Sequence, residues 1–277
     1  MKKVLLIGEK LNYSESPKIH NIISKYINYD YTYEKIELKN INYINDFIKN
    51  IKNFKDLIGA NITTPFKEDV YKCCNIITEN SKISKSVNTI KIENNKIKGH
   101  NTDGYGLLYD FKRLNYYNNK KNDILIIGLG GTSRSIIPIL YKNNYNIFLT
   151  NRTFSKIQYI KEYFYKFNIK INIFEINNIK KKDFDIILNA TSSGIYNNIP
   201  NIDSNLINDK IKIYDLYYNF NKDTPFIIWC KKYGSLYNND GLGMLVAQAV
   251  YSSNFWFNLN LNENDINIIL NKFINKN

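Results

Sequence analysis

Short apolar runs bounded by turn residues recur along the chain: "VLLIG" (4–8), "LIGANIT" (57–63), "DILIIGLGG" (123–131), "YNIFLTN" (145–151), "FDIILNAT" (184–191) and "IKIYDLYY" (211–218). Runs of this length without strict alternation are the pattern of strands buried on both faces. Between several of them apolar residues return at helical spacing, as in "SRSIIPILYKN" and "FSKIQYIKEYFYKF". Buried strands alternating with helices predict an α/β fold built on parallel sheets. One segment differs. In "NTIKIENNKIKGHNTD" (88–103) two short runs flank "ENN", a turn signal, so a hairpin is expected there, leading directly into "GHNTDGYG". A helix beginning near Asp103, followed by the polar loop "NYYNNKKN" (115–122), marks a junction between two domains. Near the end, "DGLGMLVAQAVYSSNFWF" (240–257) predicts an apolar helix, and the segment after "LNEND" an amphipathic one.

The 277 residues suffice for two cores of ordinary size, and 44% hydrophobic residues make this a folding composition. No stretch approaches the roughly 20 apolar residues of a membrane span. The start, "MKKVLLIGEK", has an apolar run too short for a signal peptide and reads as a first buried strand. Cys73, Cys74 and Cys230 cannot all pair, which points to a reducing, cytoplasmic setting; with only two histidines and no spaced Cys/His cluster, no metal site is expected. The net charge of +13 raises the question of a nucleic-acid partner. The lysines are spread along the chain, and Lys, Asn, Ile and Tyr, whose codons are rich in A and T, are abundant together. A mutational bias accounts for the charge, and no nucleic-acid partner is expected.

"ILIIGLGGTSRSI" is a strand, a tight glycine turn and a helix start. Gly128, Leu129, Gly130, Gly131 and Thr132 let the backbone approach a pyrophosphate at a helix N-terminus. Ser133 stands where the usual fingerprint has its third glycine. The next strand ends at "LTNRT", where an NAD site would carry an acid on the ribose. This chain has Asn151, Arg152, Thr153 and, one turn later, Lys156. A guanidinium pairs with a 2′-phosphate that a carboxylate would repel, so NADP is expected over NAD.

The stretch "ANITTPFKEDV" (60–70) raises a different question, because Lys67 follows Pro65 in what reads as a fixed turn and not a solvated helix face. It belongs to a series of polar motifs: "NYSESPKIHN" with Ser14 and Ser16, "NITTPFK" with Asn61, Thr63 and Lys67, "SVNT" with Asn88, and "GHNTDG" with Asp103. With "YDLYYNFNKDTPF" and "GLGMLVAQA", their order and spacing from about residue 8 to residue 257 resemble the shikimate dehydrogenase family. The resemblance implies an NADPH-dependent reduction of 3-dehydroshikimate to shikimate in aromatic amino-acid (chorismate) biosynthesis. It also implies an N-terminal α/β substrate domain (1–102 with 241–277) and a Rossmann-type NADP domain (103–240), with substrate in the cleft between them.

Carried onto this chain, the resemblance assigns Ser14 and Ser16 to the substrate carboxylate. Thr63, Lys67, Asn88 and Asp103 surround the ring, supported by Asn61, and Tyr218 and Gln248 complete the set. Lys67 and Asp103 would be the catalytic pair. On the cofactor side it implies Gly128 to Thr132, Asn151 to Lys156, Thr191, Leu216, Gly241 and, more distantly, Glu79. The residues agree with this chemistry: a ketone receiving hydride builds charge on its oxygen, which an ammonium stabilises and protonates. Departures are Ser86 for the usual alanine, Phe220 where a proline often follows the tyrosine, and Glu15 between the two serines, expected to point outward. Alternatives are a broader quinate/shikimate dehydrogenase and an idle NADP- or shikimate-binding paralogue. Either a monomer or a homodimer is compatible with the sequence.

Overall fold

The computed structural model describes residues 1–39, 41–116, 122–179 and 183–275, so most of the expected 115–122 loop lies outside the described residues. The chain divides into two compact units, Met1–Gly106 with Leu245–Asn277, and Leu107–Met244.

The first unit contains β1 (Lys2–Gly8), α1 (Ser16–Tyr26), β2 (Tyr31–Glu37), α2 (Ile41–Asn50), β3 (Leu57–Ile62), α3 (Lys67–Cys73), β4 (Ile76–Ile77), α4 (Glu79–Ser84), β5 (Thr89–Glu93) and β6 (Lys96–His100). Its sheet runs β2-β1-β3-β5-β6-β4. β2, β1 and β3 are parallel, and β5 and β6 form the expected antiparallel hairpin. Asn94 and Asn95 turn it with φ of +51° and +57°, the left-handed pair a two-residue turn demands. Leu5, Ile7, Ile62, Phe66 and Ile90 pack with Ile44 and Ile48 of α2 in the core. This topology collects chain ends at one edge. β1 stops at Gly8 and β3 at Ile62, while Thr89, opening β5, pairs with both Asn61 and His100, the last residue of β6. The loops carrying Ser14, Thr63, Asn88 and Asn101 all leave the sheet there.

After α5 (Asp103–Arg113), the second unit holds β7 (Asn122–Ile127), α6 (Gly131–Lys142), β8 (Tyr145–Asn151), α7 (Phe154–Tyr165), β9 (Ile171–Glu175), β10 (Ile186–Asn189), β11 (Lys212–Asp215), α8 (Pro225–Lys232) and β12 (Tyr237–Asp240). Every pairing in its sheet is parallel and the order is β12-β11-β10-β7-β8-β9. That is the doubly wound order of dinucleotide-binding folds, and winding reverses between β7 and β10, where such sheets open a crevice. α9 (Leu242–Phe257) and α10 (Glu263–Ile274) bring the chain back to the first unit. There the Trp256 indole donates to the Ile90 carbonyl at 2.9 Å, and Tyr26 of α1 donates to Asp265 of α10 at 2.6 Å. No helix among the described residues is long and apolar enough to cross a membrane.

Candidate active site

Lys67 does not lie within the turn, as the sequence suggests, but opens α3 directly after it. The Phe66 N–H donates to the Thr63 carbonyl at 3.1 Å to close the turn, and Glu68 and Asp69 then occupy the first helical turn, where carboxylates suit the helix dipole. The Lys67 ammonium, on a side chain only 11% exposed, meets the Asp103 carboxylate at 2.6 Å; the aspartate side chain is 7% exposed. The two come from different strand ends, and burial at this level requires each charge to have the other.

A network of neutral groups holds Asp103 in place. The Asn88 amide donates to Asp103 Oδ1 at 2.7 Å and to the Thr102 hydroxyl at 2.9 Å. Its own oxygen accepts from the Thr102 N–H at 2.9 Å, which fixes the amide orientation. The Asp103 N–H is capped by Asn101 Oδ1 at 3.0 Å. The Val87 N–H donates to the Lys67 carbonyl at 3.0 Å, tying the loop before β5 to the start of α3. Asn61 is buried; its amide hydrogens are shared among the Asn88 carbonyl, Thr89 and Ser252, and its oxygen accepts from Tyr33 at 2.8 Å. Asn61 therefore supports Asn88 instead of reaching into open space. Thr63 and Gln248 are half-buried, and the Gln248 amide donates to the Leu245 carbonyl at 2.8 Å.

Ser14 and Ser16 sit where the chain leaves β1 and enters α1, with the Ser16 N–H 3.4 Å from Ser14 Oγ. Glu15 does not project freely into solvent as expected. Its side chain is 21% exposed and its carboxylate pairs with Lys18 at 2.9 Å, one turn along α1, which neutralises it beside the serines. His20, one turn further, stacks on Tyr33 at 4.0 Å and has Tyr31 OH 3.0 Å from Nδ1. Burial pushes its pKa down to about 3 against a smaller opposing effect of Asn61, so the ring is neutral.

In the second unit the glycine turn lies at the carboxyl end of β7. Gly128 has φ +103°, and a Cβ there would come within 2.9 Å of Thr191 Cγ2, so this position tolerates only glycine and sets Thr191 beside the turn. A Cβ on Gly130 would meet nothing within 4 Å, so space is open where α6 begins. Leu129, Gly131 and Thr132 are partly exposed around it, while Ser133, in the third-glycine position, is buried. Open space against the first N–H groups of a 12-residue helix fits a pyrophosphate. On the neighbouring strand β8, Asn151 is the last residue, and Arg152, Thr153 and Lys156 follow with exposed side chains.

Leu216 and Gly241 approach each other closely: a Cβ on Gly241 would stand 2.4 Å from the Leu216 carbonyl oxygen. Of the adjacent tyrosines, Tyr217 has its ring against Gly194, which distinguishes it from Tyr218. Asp215 holds this loop, accepting from Thr224 Oγ1 at 2.6 Å, Asn189 Nδ2 at 2.9 Å and the Tyr217 N–H at 3.2 Å. Burial pushes its pKa up to about 7, against those donors. Asp240, also raised by burial, accepts from the Leu242 and Asn219 N–H groups. Glu79 is exposed in the first turn of α4, in the unit that does not carry the glycine turn. Tyr33 lay outside every quoted segment, while Asp215, Asp240 and Ser252 stood inside quoted segments with no role assigned. Thr89 and Thr102 were within reach, since they stand inside the quoted "SVNT" and "GHNTDG" motifs.

A family model described as "Shikimate dehydrogenase substrate binding domain" matches residues 6–90, and one described as "Shikimate / quinate 5-dehydrogenase" matches residues 112–199. A shikimate dehydrogenase (NADP(+)) of Buchnera aphidicola subsp. Cinara cedri is 44% identical over 92% of this chain and 90% of its own length. One of Vesicomyosocius okutanii is 40% identical over 92% and 94%. Among solved structures, a shikimate dehydrogenase from Aquifex aeolicus superposes with a TM-score of 0.85 at 27% identity, covering 98% of this chain and 97% of that one.

Proposed function

This chain belongs to the shikimate dehydrogenase family of NADP-dependent oxidoreductases, and we propose that Lys67 and Asp103 are the acid–base pair of its reaction. It reversibly reduces 3-dehydroshikimate to shikimate in aromatic amino-acid biosynthesis. The observation that carries the residue assignment is the 2.6 Å contact between an almost buried ammonium and an almost buried carboxylate that Asn88 orients.

In the proposal the first unit supplies every side chain that binds the hydroxy acid except Tyr218, which belongs to the second. Ser14 and Ser16 take its carboxylate; Thr63, Asn88, Tyr218 and Gln248 bind its hydroxyls, and Asn61 braces Asn88. NADPH, when bound, supplies the hydride. As the carbonyl carbon gains it, the oxygen becomes negative. Lys67 is the member of the pair able to stabilise that charge and give a proton, and afterwards it recovers one from water. In the oxidative direction the same route runs backwards and the hydroxyl proton leaves by way of Lys67. Asp103 keeps Lys67 aimed, and its Oδ1 is fixed by Asn88 throughout.

The second unit holds the cofactor. The residues from Gly128 to Thr132 form the cradle at the start of α6, with Thr191 alongside. Asn151, Arg152, Thr153 and Lys156 receive the 2′-phosphate, and Leu216 and Gly241 flank the nicotinamide. Glu79 has the weakest claim to a cofactor contact. Three cysteines without a disulfide fit a cytoplasmic enzyme. We further propose a monomer or homodimer without a nucleic-acid partner. The test is absorbance at the reduced-nicotinamide band, with shikimate and quinate each paired with NADP+ and NAD+. Turnover concentrated in the shikimate–NADP+ combination is expected; equal or greater turnover with quinate or NAD+ would overturn the specificity, and none at all the whole assignment.

A further inference from the structure

α9 is an apolar helix, yet it buries a serine, Ser252, completely. A buried hydroxyl persists only where its hydrogen bonds replace those of water. Ser252 Oγ accepts from Asn61 Nδ2 at 3.0 Å and lies 2.8 Å from Thr89 Oγ1, 3.2 Å from Thr102 Oγ1 and 2.9 Å from the Gln248 carbonyl. These partners are 191, 163 and 150 residues away for Asn61, Thr89 and Thr102, so the contact is tertiary, not merely a helix bonding back on itself.

The Ser252 hydroxyl donates to the Gln248 carbonyl, which has a second lone pair for the helical bond from the Ser252 N–H, and it shares its remaining contacts with the two threonines. Four contacts close a ring through Ser252, Thr89, Asn88 and Thr102. Ser252 Oγ and Thr89 Oγ1 share a hydrogen bond at 2.8 Å, and Thr89 donates to Asn88 Oδ1 at 2.8 Å. Asn88 Nδ2 donates to Thr102 Oγ1 at 2.9 Å, and Thr102 Oγ1 lies 3.2 Å from Ser252 Oγ, which closes the ring. Asn61 Nδ2 also donates into this ring, at Ser252 and at Thr89, and hydrogen bonds linked in this way strengthen one another. The second N–H of Asn88 is the one on Asp103 Oδ1. Without the serine hydroxyl, Thr89 and Thr102 can both turn to Asn88 Oδ1, at 2.8 and 3.3 Å.

We propose that Ser252 is a positioning residue for proton transfer, closing the ring that locks the Asn88 amide and through it the Asp103 carboxylate opposite Lys67. The proposal rests on the assignment of Lys67 and Asp103 as the acid–base pair. Its test compares three variants of the full chain in shikimate oxidation: Ser252→Ala, Thr102→Val, which opens the ring at another point, and Ser253→Ala. Ser253 is equally buried on α9 but donates to the Ala249 carbonyl, outside the ring. About a tenfold fall in kcat is expected for Ser252→Ala and Thr102→Val, with KM for NADP+ unchanged and little effect of Ser253→Ala. In an Asn88→Ala background the Ser252→Ala loss should disappear, because its route to Asp103 is gone. A kcat retained in either ring variant, an equal loss in Ser253→Ala, or full additivity with Asn88→Ala overturns it. If Ser252→Ala does not fold, Thr102→Val decides alone; if neither folds, the ring is structural and the proposal fails. A wild-type chain inert toward shikimate would instead refute the underlying assignment, as would Lys67→Ala with normal turnover.

Discussion

Replacing Lys67 with methionine keeps most of the side-chain volume and deletes the charge. Two losses should follow, and they can be measured apart. The first is catalytic. A positioned general acid contributes roughly 10²- to 10⁴-fold, or about 3–5 kcal/mol of barrier, so kcat for shikimate oxidation should fall by that factor. NADPH affinity, read by fluorescence titration, should stay near normal, since the glycine turn and Arg152 belong to the other unit. The second is structural. Asp103, its side chain 7% exposed, loses the counter-charge at 2.6 Å. Breaking a buried pair from one side costs about 3–5 kcal/mol, which should show as a lower denaturation midpoint. Adding Asp103→Asn removes the stranded charge and should recover much of the stability, without recovering turnover. Turnover within about fivefold of wild type in Lys67→Met, or turnover returning along with stability in the double variant, would refute the role of Lys67 as proton donor.

Arg152→Ala should weaken NADPH at least tenfold while leaving NADH little changed, since only the former carries the 2′-phosphate; an equal loss for both, in paired titrations, would rule out that contact. Asp215 takes up a proton on folding between about pH 4 and its folded pKa of about 7, so it lowers stability as pH rises through that window. The raised carboxyl corresponds to about 4 kcal/mol at most. Asp215→Asn should therefore flatten the fall in urea-unfolding stability between pH 5 and pH 7, and an unchanged slope would count against it. Gly241→Ala puts a Cβ 2.4 Å from the Leu216 carbonyl, a backbone atom that must move. About 1–3 kcal/mol of stability should be lost, with a raised KM for NADP+, and calorimetry showing no change would argue that the close approach is absent.

The sequence was most legible where burial and backbone chemistry act together. The run "YNIFLTN" coincides with β8 because its apolar residues sit mid-sheet, and the hairpin follows from two asparagines able to take positive φ. β2, "YTYEKIE", escaped notice because it lies at the edge of its sheet, and its polar residues mask the alternation. β9, "INIFE", also an edge strand, was lost the same way. Lys67, Asn88 and Asp103 stood out only as members of an ordered motif series, because an amide or carboxylate beside a glycine or turn is, taken singly, an ordinary cap. The pairing of Glu15 with Lys18 was not legible because the two become neighbours only once α1 is wound.

What single-chain pattern could not supply is the direction of the hydrogen bonds behind the reacting pair. Charge alone would bring Lys67 and Asp103 together, but a carboxylate in contact with an ammonium can still rotate. Asn88 removes that freedom by holding Oδ1 while Lys67 takes Oδ2. An amide can do so only if its own oxygen is occupied, and the Thr102 N–H and Thr89 hydroxyl occupy it at 2.9 and 2.8 Å. Both threonines stand on chain ends that the mixed sheet brings to one edge, and the remaining contact comes from α9, more than 140 residues later. On the roles proposed for Lys67, Asp103 and Ser252, the return of the C-terminal helices to the first unit would serve the chemistry as well as the packing. Without α9 the same strands would present the same lysine and aspartate with nothing to close the ring behind them.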